Sequence, residues 1–308
     1  MRLFTASFVL LTLSFLTCAQ LTSQDVRASK SSPSSSTRYV GFDRNVYPGD
    51  DALPALRKEF SFAGYWLNPP PGEHQNTWQG KREVLLRSGF GFLVLANGRL
   101  DAEILKAQKS GTAPAALGKR DASDAIAAAR REHFPAHAIL FLDQEEGGRL
   151  LEEQAAYLFA WTEAVGRSEY LPGVYASGQP VSEGHGVTIT TAQDIREHVA
   201  KEHLHEIALW VAQDACPPST GCVVQAPPLS ASGTPEAVVW QYAQSPRRKA
   251  ITAACGKTYA ADGNCYAPGH TPGLPKLFLD LMFTQMKKCR IRTSWRIAKR
   301  PISFLTNK

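Results

Sequence analysis

Four carboxyl side chains end or interrupt short apolar runs of this chain: Asp43 in YVGFDRN, Asp143 and Glu145 in AILFLDQEEGG, and Asp280 in LFLDLM. Carboxylic acids that converge in one cleft suit glycosidic bond hydrolysis, in which one acid protonates the leaving oxygen and another stabilises or attacks the sugar cation. Asp143 and Glu145 are two residues apart, so on an extended strand both side chains point to the same side. Such closeness raises the pKa of one carboxyl, as a general acid near neutral pH requires.

Each acid also has a structural interpretation. A strand-end aspartate such as Asp43 or Asp280, taken singly, is more often a helix cap or a loop organiser than a catalyst. Carboxylate oxygens also suit calcium or magnesium, but no histidine or patterned acidic loop accompanies them, so we expect no metal and no cofactor. No serine or cysteine stands in a nucleophile elbow or a triad setting.

Eight short apolar runs predict eight β-strands. They span residues 39–45, 62–68, 91–97, 138–145, 171–177, 206–213, 237–244 and 277–282. Amphipathic helix patterns lie between several of them, at 121–134, 150–165 and 191–205, and the last opens T-x-x-D like a capping box. This alternation predicts an α/β fold, a single (β/α)8 TIM-type barrel with irregular or missing helices late in the barrel. An open doubly wound sheet is the alternative, although no Gly-rich phosphate fingerprint follows the first strand.

In such a barrel the carboxyl ends of the strands form the active face, and polar side chains of this chain gather at those ends. The predicted catalytic residues are Glu145, Asp143, Asp43 and Asp280. The predicted substrate-binding residues are Asn68, Trp78, Asn97, Tyr175, Trp210, Gln241 and Tyr242. Aromatic rings bury large areas wherever they occur, so about half of the aromatic candidates are expected to be ordinary barrel packing.

The N-terminal residues resemble an export signal. A basic start, an apolar run at 3–16 and the sequence TCA at 17–19 predict a signal peptide over 1–19 that is cleaved after Ala19. Lipidation of Cys18 is the alternative, but the FLT before it lacks the small residues expected there. No other run approaches the ~18 apolar residues of a membrane helix, so we expect a secreted or periplasmic protein with no transmembrane segment in the mature chain.

The rest of the chain divides by composition. We predict a Ser-rich linker at 20–38, the barrel domain at 39–286 and a basic tail at 287–308. The tail holds eight Lys or Arg and no acid, so the basic net charge of the chain belongs to the tail. Such a tail suits contact with anionic wall polymer, lipid headgroups or nucleic acid, or it is a solvated extension, and we expect no nucleic-acid partner.

Four cysteines form two close pairs in loops rich in Pro and Gly, where an oxidising compartment favours disulfides. They are Cys216, Cys222, Cys255 and Cys265. Zinc binding and free thiols are the alternatives, but neither pair has metal-ligand spacing. Cys289 is left over and is expected to be free.

Several segments together resemble a known family. GFDRNVYPGD, GYWLNPPPGE, GFGFLVLANGR, FLDQEEGG, GVYASG, WQYAQSPRR, DGNCYAP and FLDL, over about residues 39–282, resemble the glycoside hydrolase-like family DUF1906, the Rv2525c-like domain. That family is similar in fold to the family 25 lysozymes. The resemblance implies that Glu145 is the general acid, that Asp143 and Asp280 stabilise the oxocarbenium ion or position the substrate, and that the sugar's N-acetyl group can assist. One departure is Met282, where the lysozyme-like pattern has Asn.

These observations predict an exported, monomeric glycoside hydrolase-like protein that acts on peptidoglycan or a related cell-wall glycan. The first alternative is a non-catalytic carbohydrate-binding or wall-associated module that keeps the same barrel and pocket. The second is an enzyme that acts on another polysaccharide, because the shape of the pocket sets specificity and fold alone does not establish function.

Overall fold

The computed structural model describes residues 38–214, 229–244, 277 and 279–285. The predicted signal peptide, the linker up to residue 37, the basic tail and all six cysteines lie outside the described residues. Within the described part of the chain, no helix combines the length and the apolar character needed to cross a membrane.

Eight strands close into one barrel, and two short strands form a separate hairpin. The strands are β1 (Arg38–Asp43), β2 (Phe62–Trp66), β3 (Gly91–Asn97), β4 (Ile139–Gln144), β5 (Leu171–Ser177), β6 (Val181–Gly184), β7 (Val187–Ile189), β8 (Ala208–Ala212), β9 (Val239–Ala243) and β10 (Asp280–Gln285). The barrel order is β1-β10-β9-β8-β5-β4-β3-β2, and β6 pairs with β7 alone. The predicted closed barrel is confirmed, and the open doubly wound sheet is excluded.

The described part of the chain holds six α-helices, all of them before β8. They are α1 (Leu53–Glu59), α2 (Arg82–Arg87), α3 (Asp101–Lys109), α4 (Pro114–Arg131), α5 (Glu152–Gly166) and α6 (Thr191–Glu202). Two short 3-10 helices add Asp50–Ala52 and Leu229–Ser232. The three predicted helices correspond to α4, α5 and α6. Helix α4 begins earlier than its amphipathic pattern suggested, with a proline in its first turn, where the missing N–H costs no helical hydrogen bond.

The predicted capping box at the start of α6 is wrong by one residue. The N-cap is Thr190, whose side chain accepts a hydrogen bond from the backbone N–H of Gln193. Thr191 is fully buried and donates to the carbonyl of Gly148 instead, at 2.8 Å. Asp194 accepts from the backbone N–H of Leu150 at 2.9 Å. The T-x-x-D residues therefore hold α6 against the segment between β4 and α5.

The last strand of the barrel runs in the opposite direction to its neighbours. Strand β10 pairs antiparallel with both β1 and β9, whereas the other barrel pairs are parallel. Asp280, the first residue of β10, lies opposite Asp43, the last residue of β1. The reversal places Asp280 at the edge of the barrel where the parallel strands have their carboxyl ends.

The barrel strands are buried on both faces. All five residues of β2 and all five of β9 are buried. One face of such a strand fills the barrel interior and the other is covered from outside, so the sequence shows continuous apolar runs rather than strict alternation. A polar residue within such a run departs from the buried apolar pattern. The four predicted acids depart from it in this way, and all four lie at one end of the barrel.

Candidate active site

A cavity of about 310 Å³ opens at the carboxyl ends of the parallel strands and contains all four predicted acids. Its walls are formed by Asp43, Arg44, Asn45, Val46, Trp66, Leu95, Asp143, Glu145, Tyr175, Gln241, Gln244 and Asp280. The side chains come from seven strands or strand exits, which is how a barrel assembles a site from distant parts of the sequence. The cavity is the candidate active site.

Asp43 ends β1 and is only 8 % exposed. Gly64 on the adjacent strand β2 leaves the space that this carboxyl occupies. A Cβ at position 64 would lie 2.2 Å from Oδ1 of Asp43, so any larger residue would displace the acid. Asp43 can therefore occupy its position only because residue 64, in the GYW segment, is a glycine.

Asp143 lies near the end of β4, in register with Asn97 of β3 and Tyr175 of β5. Its side chain is 4 % exposed, whereas Glu145, just beyond the strand, is exposed. Gly98 allows β3 to pass close to this point, since a Cβ there would lie 2.3 Å from the Asp143 carbonyl oxygen. The pair therefore has one member embedded in the barrel and one that faces the open cleft.

The buried acids hold protons more tightly than ordinary carboxyl groups. Burial raises the pKa of Asp143 well above its usual value, and the charges of Glu145 and Asp43 and a hydrogen bond with Glu145 raise it further. Burial also raises the pKa of Asp43 to about 7, although a hydrogen bond from the Arg44 backbone N–H opposes the shift. Because Asp143 and Glu145 interact directly, Asp143 keeps its proton to a higher pH than an ordinary aspartic acid does.

Gln241 connects two other groups of the cavity. Its Nε2 donates to the Tyr175 hydroxyl at 3.2 Å and to Oδ2 of Asp280 at 3.3 Å. Burial and the surrounding carboxylates raise the pKa of Tyr175 well above its usual value, so its hydroxyl stays neutral. Gln241 thus fixes both a neutral hydroxyl and a carboxylate in the wall of the cavity.

Three of the predicted substrate-binding rings are fully buried: Trp78, Trp210 and Tyr242. None of them lines the cavity that holds the acids. Trp210 packs edge-to-face under Tyr175, with ring centroids 5.2 Å apart. Trp78 donates from Nε1 to the carbonyl oxygens of Arg44 and Asn45, at 3.2 and 3.0 Å. A ring with no exposed face offers no stacking surface for a sugar, so these three rings serve as core packing.

Asn68 and Asn97 join the ends of β2 and β3. Asn68 donates from Nδ2 to the Asn97 carbonyl at 3.1 Å and accepts from the Asn97 backbone N–H at 2.8 Å. Asn97 also donates from Nδ2 to the Pro69 carbonyl at 2.9 Å. Neither side chain lines the cavity of the acids. Both instead hold the ends of β2 and β3 together.

A second cavity of about 310 Å³ adjoins the first at the Asp143–Glu145 pair, which lines both. Its other walls come from the rim loop at 70–74, with Glu73 and His74, and from residues 97–100 and Glu103. The rim loop is fastened across to the exit of β1 by a hydrogen bond from Asn45 Nδ2 to the Pro71 carbonyl, at 2.8 Å. The acid pair therefore lies between two cavities.

The comparisons with known proteins identify the family. The model of the Rv2525c-like, glycoside hydrolase-like domain matches residues 75–244, more than half of the 308 residues. The chain belongs to this family. The predicted resemblance is confirmed, although the matched region is shorter than the predicted one and leaves out Asp43 and Asp280. No curated protein matches the chain.

Several solved structures are similar to this chain at low sequence identity. An uncharacterized protein of B. stearothermophilus is 18 % identical, with a TM-score of 0.51 over 82 % of this chain and 99 % of that one. The Tat-secreted protein Rv2525c of Mycobacterium tuberculosis, in complex with L-tartrate, is 13 % identical, with a TM-score of 0.46 over 82 % and 97 %. A bacterial lysozyme from Streptomyces coelicolor is 11 % identical, with a TM-score of 0.45 over 84 % and 97 %.

Arg44 and Gln244 are two of the six residues of the cavity wall that the sequence-based prediction missed; the others are Asn45, Val46, Trp66 and Leu95. Arg44 directly follows the first acid, and Gln244 closes the WQYAQ segment. Both lie just beyond a strand, where the alternation of side-chain directions no longer applies, so no pattern indicates that they face the cavity. The sequence signal that could have identified them is that they lie close to predicted site residues along the chain.

The raised pKa of Asp43 predicts a pH-dependent stability. The folded-state pKa of about 7 lies above the unfolded value, so the folded protein binds more protons between roughly pH 4 and pH 7. Its unfolding free energy should therefore fall as the pH rises through this window. Asp43→Asn removes this titration, so the stability of the variant relative to the wild type should rise by about 2 kcal/mol between pH 5 and pH 7. Urea denaturation at both pH values measures this difference, and an unchanged difference would contradict the raised pKa.

Proposed function

We propose that this protein hydrolyses glycosidic bonds of peptidoglycan or a related cell-wall glycan, with carboxyl groups as its catalysts. The observation that carries the proposal is the Asp143–Glu145 pair, one member buried and the other exposed, in a cavity with two further acids. The raised pKa of Asp143 lets this pair hold a proton to a higher pH than ordinary carboxyl groups do. Membership of a glycoside hydrolase-like family supports the same reaction class.

In the proposed reaction Glu145 protonates the glycosidic oxygen, because it is the member of the pair that faces the open cleft. The bond between this oxygen and the anomeric carbon breaks, and positive charge develops on the sugar ring. Asp280, held by Gln241, lies in the cavity wall where a carboxylate can stabilise that charge. Water then adds to the anomeric carbon, and its proton returns to the Asp143–Glu145 pair.

The two adjoining cavities support a polymeric substrate. Both are lined by Asp143 and Glu145, so a glycan that occupied them together would place the bond between two sugars at the acid pair. Cleavage within a chain needs sugar-binding surface on both sides of the catalytic group. A pocket closed at one end would instead favour removal of terminal sugars.

The proposed place of action is outside the cytoplasm, in the secreted or periplasmic space where the cell wall lies. The basic start and the apolar run at 3–16 support export. The closely spaced cysteines support an oxidising compartment, and the pairs we propose are Cys216 with Cys222 and Cys255 with Cys265.

The test is to incubate the purified protein with peptidoglycan sacculi in oxygen-18-labelled water and to analyse the soluble products by mass spectrometry. Hydrolysis should give muropeptides with new reducing ends that carry one labelled oxygen for each bond broken. Boiled protein serves as the control. Products with anhydro ends would indicate a lyase instead. Sacculi that bind the protein without releasing any product would contradict the proposal and favour the non-catalytic binding module.

A further inference from the structure

The Arg44 guanidinium lines the acid-containing cavity but has no partner among the residues that the structure describes. Its Nε and Nη1 are both buried without a hydrogen bond. The ion pairs found in the described part of the chain do not include it, even though Asp43 is the preceding residue. A cation of this kind, half-buried and unpaired, is rare in folded proteins.

Such a cation destabilises the fold unless something else binds it. Removing a guanidinium from water costs free energy, and only hydrogen bonds or an opposite charge offset that cost. The shift of the Arg44 pKa below its usual value reflects this burial alone. The backbone at this point is nevertheless firmly held, because Trp66 and Trp78 both donate from Nε1 to the Arg44 carbonyl oxygen at 3.2 Å. The fold thus fixes the start of a side chain whose charged end meets no partner among the described residues.

The neighbouring cavity wall is also incompletely paired. The amide oxygen of Gln244 is buried without a hydrogen-bond partner in the described structure. A neutral sugar needs hydroxyl-binding groups but no cation, whereas the planar fork of a guanidinium matches the two oxygens of a carboxylate or phosphate. Asp43 does not repel such a group strongly, because its pKa of about 7 leaves it largely protonated in mildly acidic solution.

We propose that Arg44 is a specificity-determining residue that binds an oxyanion, a carboxylate or a phosphate, carried by the glycan beside the acid pair. Cell-wall glycans carry both groups, the first on lactyl ethers and peptides and the second on phosphorylated sugars. The inference rests on the proposed function, since it names the chemical class of glycan that the same cavity prefers.

The test compares Arg44→Met and Arg44→Lys in a Glu145→Gln background, which prevents turnover during calorimetric titration. Three probes are used: neutral chitotetraose, a tetrasaccharide of alternating N-acetylglucosamine and N-acetylmuramic acid with free lactyl carboxylates, and 6-O-phosphorylated chitotetraose. Arg44→Met should weaken binding of one anionic probe ~10-fold or more and leave chitotetraose unchanged. Arg44→Lys should recover part of the loss. The probe that responds identifies the anion.

Two controls separate this role from a structural one. Arg44→Met should not lower the thermal midpoint, because it removes an unpaired charge, whereas Arg130→Met breaks an ion pair with Glu169 and should leave binding of all three probes unchanged. A fall in the midpoint of Arg44→Met, or equal weakening of all three probes, would overturn the inference. Because binding is measured without hydrolysis, Arg44-dependent selectivity in a protein that cleaves no glycan would contradict only the proposed enzymatic function.

Discussion

Replacing Glu145 by glutamine is expected to lower kcat for glycan hydrolysis by ~10³-fold or more, with little change in glycan binding. The amide has nearly the same shape as the carboxyl group but cannot give a proton to the leaving oxygen. Release of reducing ends from sacculi measures the rate, and co-sedimentation with sacculi measures binding. An active variant would show that the proton comes from another group of the cavity.

The neighbouring glutamate provides a matched control. Glu146 accepts hydrogen bonds from the Asp101 backbone N–H and from Gln154 Nε2, and it lines neither of the two adjoining cavities. Glu146→Gln makes the same chemical change one residue away, so it should retain activity within a few-fold. Equal losses in Glu145→Gln and Glu146→Gln would mean that the segment after β4 had been disturbed, and that neither loss reports on proton transfer.

The eight barrel strands could be predicted because each is buried on both faces and reads as an apolar run. The four acids could be predicted because each is a polar residue at or near the end of such a run. Asp280 lies at the predicted edge of the barrel, but the strand that carries it runs in the opposite direction to the one predicted. It was predicted to end a parallel strand, yet it begins an antiparallel one, and both arrangements place it beside Asp43. An apolar run carries no information about strand direction, so the sequence alone could not distinguish them.

The aromatic residues show a second limit of the sequence. Tyr175 and Trp210 lie opposite each other in register on β5 and β8, yet only Tyr175 reaches the cavity wall. Trp210 is fully buried and packs against Tyr175 and Phe141. A difference of this kind depends on how deep each ring lies in the barrel, which is set by the packing of side chains from distant strands and not by local spacing.

Replacing Asp143 by asparagine is expected to lower kcat by ~10²-fold at pH 7 and by less near pH 5. In the wild type the two carboxyl groups share a proton because Asp143 is buried and the two would otherwise repel each other. Asparagine removes the second charge and its shared proton.

The pH profile of kcat separates this role of Asp143 from direct participation. If Asp143 serves to keep the proton on the pair, the variant loses activity mainly on the alkaline side, and acidification restores it. If its carboxylate itself stabilises the sugar cation or attacks it, the loss should be the same at every pH, because the missing charge cannot be supplied by solvent protons. The burial of Asp143 and the exposure of Glu145 favour the first result, since Glu145 is the more accessible member of the pair. A pH-independent loss would instead give Asp143 a direct role in stabilising or attacking the sugar cation.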